Sequence, residues 1–297
     1  MNLALNYAHT QRRLVRLPEP RNSSSFMSTD QRRPNEWQMS QVINTATQFD
    51  RISQVYDETR TPLKKATVEK IVSILARDGC STILEIGVGT GRVAKPLQDR
   101  NLKIVGVDIS RGMIQRAREK RIERLILADA SHLPIRARSF DAAIFAHVLH
   151  IFEDPVGIFR SVSGVVTKEI VALVRKQQDS EPYGGGNNLM WQALQEAAAK
   201  VGYTLPIHAG EWRRKERELL ATIPPTELIN LQDELIETSI NDRLSYIEKR
   251  AFRRTLDIPD DVLERVIREV HSSLSVEAAE RKVQYRRTEQ IAIWRLN

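Results

Sequence analysis

Three glycines spaced two apart, Gly87, Gly89 and Gly91, follow the apolar run "ILEI" and precede "RVAKPL", where apolar residues return at helical spacing. A strand, a bare bend and a helix in that order let a ligand come close to the backbone. A dinucleotide fingerprint places its third glycine where this chain has Arg92. A triphosphate loop ends in Gly-Lys and a hydroxyl residue where this chain has Gly91, Arg92 and Val93. Both phosphate readings weaken together. Glu85, two residues before the bend, would repel a pyrophosphate and suits a cationic ligand. Asp108, 21 residues beyond Gly87, closes the next apolar run "KIVGVD", where a carboxylate can accept both hydroxyls of a ribose. A cationic nucleoside without phosphate, S-adenosylmethionine, suits these positions better than a nicotinamide dinucleotide.

The elements that must position these groups follow from periodicity. Short apolar runs over 82–86, 103–107, 124–127, 141–146 and 169–174 read as strands, and amphipathic stretches over 91–99, 111–120 and 154–164 read as the helices between them. Helices over 41–56 and 62–77 precede the first strand, the second opened by Pro62 in its first turn. Such alternation predicts a doubly wound α/β fold, its mostly parallel sheet buried on both faces. After Arg175 the rhythm breaks at the glycine-rich "DSEPYGGGNN". A helical insertion follows over 176–275, with apolar stripes at Ile240, Leu244, Ile247 and Ala251 and at Val262, Val266, Ile267, Val270 and Leu274. Two alternating runs over 280–297 read as an antiparallel hairpin at the sheet edge. Residues 1–40, with prolines at 18, 20 and 34 and a serine run, read as a disordered extension before a domain spanning 41–297, and Met27 offers an internal start.

The 297 residues are 41% hydrophobic with one cysteine, Cys80. No apolar run approaches about 18 residues, which excludes a spanning helix, the single cysteine excludes a disulfide framework and a multi-cysteine zinc site, and a reducing cytoplasm is the expected home. The net charge of +7 invites a nucleic-acid partner. Clusters such as "RRKER" (213–217) and "EKRAFRR" (248–254) mix acids among the bases, however, and read as solvated helix faces.

The stretches "ILEIGVGTGRVAKPL", "IVGVDISRGMIQRARE", "LILADASHLPIRARSFDAAIFAHVLHIFEDP" and "FDRISQVYDETR" together resemble the successive motifs of the class I S-adenosylmethionine-dependent methyltransferases, in the branch of ubiquinone/menaquinone-type and small-molecule enzymes. The resemblance spans 49–175 and implies a Rossmann-like, seven-stranded sheet. It implies that Glu85, Gly87, Gly89 and Gly91 shape the site of the methionine moiety, that Asp108 holds the ribose, and that Ile109 packs on the adenine. Asp129 would accept the adenine amino group beside the Ala130 amide. Ala146 and His147 would flank the methionine part, and Tyr56 and Arg60 would cover the cofactor.

His147 and His150 fall where the fourth strand ends, a position from which an imidazole can act as general base. Cys80 precedes the first strand and reads as packing. Asp141 reads as the residue that steadies the start of its strand. Trp191, Tyr203 and Trp212 read as a substrate lid or as the core of the insertion. The leading expectation is direct methyl transfer to a small or medium-sized acceptor, selected by 176–275. An RNA or protein methyltransferase and a non-catalytic binder of the same nucleoside remain alternatives. The strand ends in "FAHVLH" rather than an Asn/Asp-Pro-Pro-aromatic motif, which weighs against the first of them.

Overall fold

A computed structural model of the chain describes residues 36–60, 62–175, 185–205, 211–250, 255–256 and 258–296. Helices α1 (Glu36–Ile52) and α2 (Lys65–Arg77) lead into β1 (Thr82–Ile86), α3 (Ala94–Gln98), β2 (Lys103–Asp108), α4 (Arg111–Glu119), β3 (Leu125–Leu127), β4 (Phe140–Ala146), α5 (Pro155–Val165) and β5 (Val166–Arg175). The rest comprises α6 (Gly185–Lys200), α7 (Glu211–Thr222), β6 (Glu227–Asn230), β7 (Glu234–Thr238), α8 (Ile240–Glu248), α9 (Asp260–Ser273), α10 (Val276–Glu280), β8 (Val283–Arg287) and β9 (Glu289–Arg295).

The seven-stranded sheet runs β3-β2-β1-β4-β5-β9-β6, parallel from β3 to β5 and antiparallel at β9 and β6. Its strands are apolar on both faces because helices cover both. One face packs Leu84, Ile86, Phe145, Ala172 and Trp294 against Phe159 and Val162 of α5 and Leu219 of α7. The other packs Ile83, Ile104, Ile144 and Val171 against Ile71, Ile74 and Leu75 of α2. Caps set the helix starts. Ser110 Oγ accepts the Met113 amide at 3.0 Å for α4, and Asp154 Oδ1 accepts the Gly157 amide at 2.7 Å for α5, with Pro155 in its first turn.

Several boundaries differ from expectation. The expected disordered extension over 1–40 is cut short by α1, which begins at Glu36; positions 1–35 lie outside the described residues. Pro62 precedes α2 instead of opening it, since the helix starts at Lys65 behind Lys64. The C-terminal antiparallel strands exist, but they do not form a hairpin with each other. β8 pairs with β7 in a separate two-stranded sheet, while β9 inserts between β5 and β6. The β9 stretch buries Ile291, Ala292, Ile293 and Trp294, a continuous apolar run that demands cover on both faces and so a place inside the sheet.

The insertion over 176–275 is mainly helical yet contributes β6 and β7. Of the expected glycine joint, 176–184 lies outside the described residues, and Gly185 to Asn188 belong to α6. Met190, Trp191, Leu194, Leu244, Ile247, Val266 and Val270 of α6, α8 and α9 form a core of their own, with Tyr203 against it, so Trp191 and Tyr203 are core residues. The Ala251 position and the Trp212 side chain fall outside the described residues. Among those described, no helix is long and apolar enough to cross a membrane.

Candidate active site

The carboxyl ends of β1 to β4 converge on a cavity of ≈ 400 Å³, at the edge where open α/β sheets bind ligands. Gly87 and Gly89 line it from the bend after β1, Asp108 and Ile109 from the end of β2, Asp129 and Ala130 from the end of β3, and Ala146 and His147 from the end of β4. Each group arrives from a different strand, and the parallel order puts all four tips side by side.

Asp108 is the best-held of these groups. Its Oδ2 accepts the Gly89 amide at 2.8 Å and its Oδ1 accepts the Ser110 amide at 2.9 Å, which ties the glycine bend to the tip of β2. Burial pushes the carboxyl up to about 6, against the pull of the Ser110 and Gly89 amides. A Cβ added to Gly89 would meet nothing within 4 Å, so the outer side of the bend is open. Asp129 Oδ1 accepts the Ser131 amide at 2.9 Å, with His132 Nδ1 3.8 Å from its Oδ2. Among the described residues no lysine or arginine lines the cavity. The donor set therefore fits a nucleoside that presents hydroxyls and an amino group and carries no phosphate.

Other expected residues stand elsewhere. Glu85 is 1% exposed and does not line the cavity; it lies under the bend, in contact with the Ala94 amide where α3 begins. Burial and then the nearby Asp108 charge push its carboxyl well above the ordinary carboxylate range, and its Oε2 has no hydrogen-bond partner among the described residues. Gly91 is also behind the bend, against Ile122. Tyr56 lines the cavity, while Arg60 stands over its ring, 4.8 Å from the centroid, and is not part of the lining. His150 sits in the short turn Leu149–Ile151 and is likewise outside the lining.

Sequence reading named Tyr56 and Arg60 as cover and missed the part that α1 plays. Thr45 and Phe49 of α1 line the cavity, and α1 is pinned there by Asp50, whose Oδ1 accepts Ser110 Oγ at 2.6 Å and the Gly112 amide at 2.7 Å. Asp57 fastens the next turn, accepting Thr90 Oγ1 at 2.6 Å and pairing with Lys120 at 2.6 Å. Burial pushes the Asp57 carboxyl up, but hydrogen bonds from Lys120 and Thr90 outweigh it and leave the group below its ordinary value. Both acids lie in "FDRISQVYDETR", so the signal was present, but which partners they would find was not. Ile151, Phe152, Glu153, Asp154 and Ile158, between β4 and α5, complete the lining. Among the described residues none from 176–275 lines the cavity.

At the other pole of the sheet, Asp141 Oδ2 accepts the Ser81 and Thr82 amides, both at 2.9 Å, and steadies the strand starts as expected. Cys80 is buried with Sγ 3.6 Å from Glu169 Oε1, and burial and then the Glu169 charge push its thiol up to about 12. Such a thiol is inert.

Residues 84–172 match the model of a methyltransferase domain family. An uncharacterized protein of Methanocaldococcus jannaschii is 30% identical over 172 residues, 52% of this chain and 80% of its own length. A demethylmenaquinone methyltransferase of Thermotoga maritima is 32% identical, covering 41% of this chain and 56% of the relative. A malonyl-[acyl-carrier protein] O-methyltransferase of Marinomonas is 28% identical, covering 41% and 47%. The chain thus spans about half the length of these two enzymes. Among solved structures, the YcgJ protein of Bacillus subtilis aligns with a TM-score of 0.48 at 17% identity, over 77% of this chain and 99% of that one.

Proposed function

The chain belongs to the class I S-adenosylmethionine-dependent methyltransferases, and we propose that it methylates a small, largely apolar acceptor held between α1 and the loop from β4 to α5. The observation that carries this reading is the mixed lining of the cavity. Its lining combines the polar Gly89, Asp108 and Asp129 with the apolar Phe49, Ile151, Phe152 and Ile158. A cavity of this volume belongs to the range of small-ligand sites. A polyanion would find no lining lysine or arginine among the described residues, and that weighs against an RNA acceptor. Relatives named for methylating demethylmenaquinone and a malonyl carrier support a small acceptor group.

S-adenosylmethionine supplies, when bound, a methyl group on a cationic sulfur. Asp108 accepts the two ribose hydroxyls, held in place beforehand by the Gly89 and Ser110 amides. Asp129 accepts the adenine amino group beside Ala130, and Ile109 packs on the ring. Gly89 lets the methionine portion approach the backbone. Tyr56 and α1 close the site and keep water from the transfer, while the apolar wall sets the acceptor in line. On this reading α1 and residues 151–158 supply acceptor contacts.

Incubation of the protein with methyl-labelled cofactor and a fractionated extract should send label into the small-molecule pool. Label confined to RNA or protein would overturn the acceptor class. Affinity for S-adenosylhomocysteine, followed by calorimetry, should be flat above pH 7 and fall as pH drops through about 6, because a protonated Asp108 loses acceptor capacity. The empty fold responds with the opposite sign. The folded carboxyl takes its proton near pH 6 and the unfolded one near 3.8, so this group's cost to stability, full above pH 6, is relieved as pH falls between those values.

A further inference from the structure

His147 has a backbone φ of +56°, a left-handed conformation that costs a non-glycine residue roughly 1 kcal/mol or more. Four other described non-glycine residues share it: Asn101, Arg121, Arg138 and Arg250. None of those borders the cavity, and His147 does. Its imidazole lies near a carboxylate far away in the chain. Nε2 of His147 lies 3.7 Å from Oε1 of Glu289, with side-chain exposures of 29% and 16%. Glu289 is the first residue of β9, and it reaches the mouth of the site only because β9 is inserted beside β5, with Glu289 opposite Arg175 in register.

We propose that His147 and Glu289 form a base pair in the acid–base sense: His147 is the catalytic residue that takes the proton of the methyl acceptor, and Glu289 is the positioning residue that orients the imidazole and stabilises its protonated form. This rests on the methyl-transfer reading of the cavity and names the acceptor class further, as a hydroxyl, thiol or amine that must lose a proton. The lone pair of that heteroatom forms the bond to the methyl carbon while the carbon–sulfur bond breaks with its electrons going to sulfur. The heteroatom's proton passes to His147, and the imidazolium beside Glu289 later releases it to water. The other titratable groups on the cavity wall have different employment. Asp108 and Asp129 accept backbone amides, Asp154 caps α5, Glu153 pairs with Lys215 at 3.2 Å, and His132 pairs with Asp129. Tyr56 carries Arg60 over its ring.

The test uses the full chain and two readouts. S-adenosylhomocysteine binding establishes that each variant retains its site. The pH titration of the His147 ring by NMR, and the pH profile of label transfer into the small-molecule pool, then report on the pair. Glu289→Gln should lower the His147 midpoint by about one pH unit, move the ascending limb of transfer down with it and reduce the plateau about tenfold. Glu289→Asp should recover part of both. His147→Asn, chosen because asparagine tolerates positive φ, should remove the limb and cost about 100-fold or more in rate. An unmoved His147 midpoint in Glu289→Gln, with transfer within twofold of the parent, overturns the pair while leaving the methyltransferase reading intact. Parent protein that neither binds S-adenosylhomocysteine nor transfers label overturns both.

Discussion

Asp108→Ala is expected to weaken binding of S-adenosylhomocysteine by about 100- to 1000-fold. Two hydrogen bonds from ribose hydroxyls to an ionised acceptor are each worth about 1.5–3 kcal/mol, and each 1.4 kcal/mol is about tenfold in affinity. The same carboxylate holds the Gly89 and Ser110 amides at 2.8 and 2.9 Å, so its loss also frees the bend. Asp108→Asn separates the two duties. It keeps one acceptor oxygen and the side-chain volume but not the charge, which burial opposes at neutral pH. Its amide nitrogen cannot accept the second backbone amide, which offsets the relief of the buried charge, so this variant should melt close to the parent at pH 7.5 while still losing about tenfold or more in affinity. Calorimetric affinity within threefold of the parent for both variants would show that the ribose lies elsewhere.

Gly91→Ala should cost the fold about 3 kcal/mol, whereas Gly89→Ala should cost about 1 kcal/mol and strike binding instead. Gly91 has φ +81°, and a Cβ there would fall inside the van der Waals shell of Ile122 Cδ1, with Ala117 Cβ only 3.7 Å away. Ile122 is 4% exposed in the core under the bend and has little room to yield. Left-handed strain adds about 1–2 kcal/mol and overpacking about 1–3 kcal/mol. Gly89, with φ +55°, carries only the strain, because its Cβ would have open space around it. On the proposed binding mode that space faces the ligand, so Gly89→Ala should lower S-adenosylhomocysteine affinity about tenfold or more with a nearly normal denaturation midpoint. Equal denaturation midpoints for the two variants would refute the division of labour between the glycines.

These contrasts show how far local pattern reaches. Gly87, Gly89, Asp108, Ile109, Asp129, Ala130, Ala146 and His147 were legible, because in a parallel sheet every strand tip points to one edge and the residue just past each apolar run must face it. Glu85 was read in the wrong environment. Its place two residues before the bend was visible, but only packing under α3 buries it away from the cavity and raises its carboxyl above the ordinary range. His150 was grouped with His147 on spacing, and a single short turn sends the two apart. The hairpin expected at 280–297 failed for a related reason. Adjacent alternating runs make a hairpin the nearest pairing, yet the apolar run Ile291–Trp294 is satisfied better between two strands than at an edge.

The chain by itself determined the α/β alternation, the glycine bend and the acids that close its strands, since all three depend on residues within one element and its neighbour. Tertiary structure alone decided that Asp50 would pin α1 over the cavity, that β9 would enter the sheet, and that Glu289 would face His147 at 3.7 Å. Those outcomes depend on which distant surfaces bury each other best. Periodicity records that a face must be covered, and only the packed chain settles what covers it.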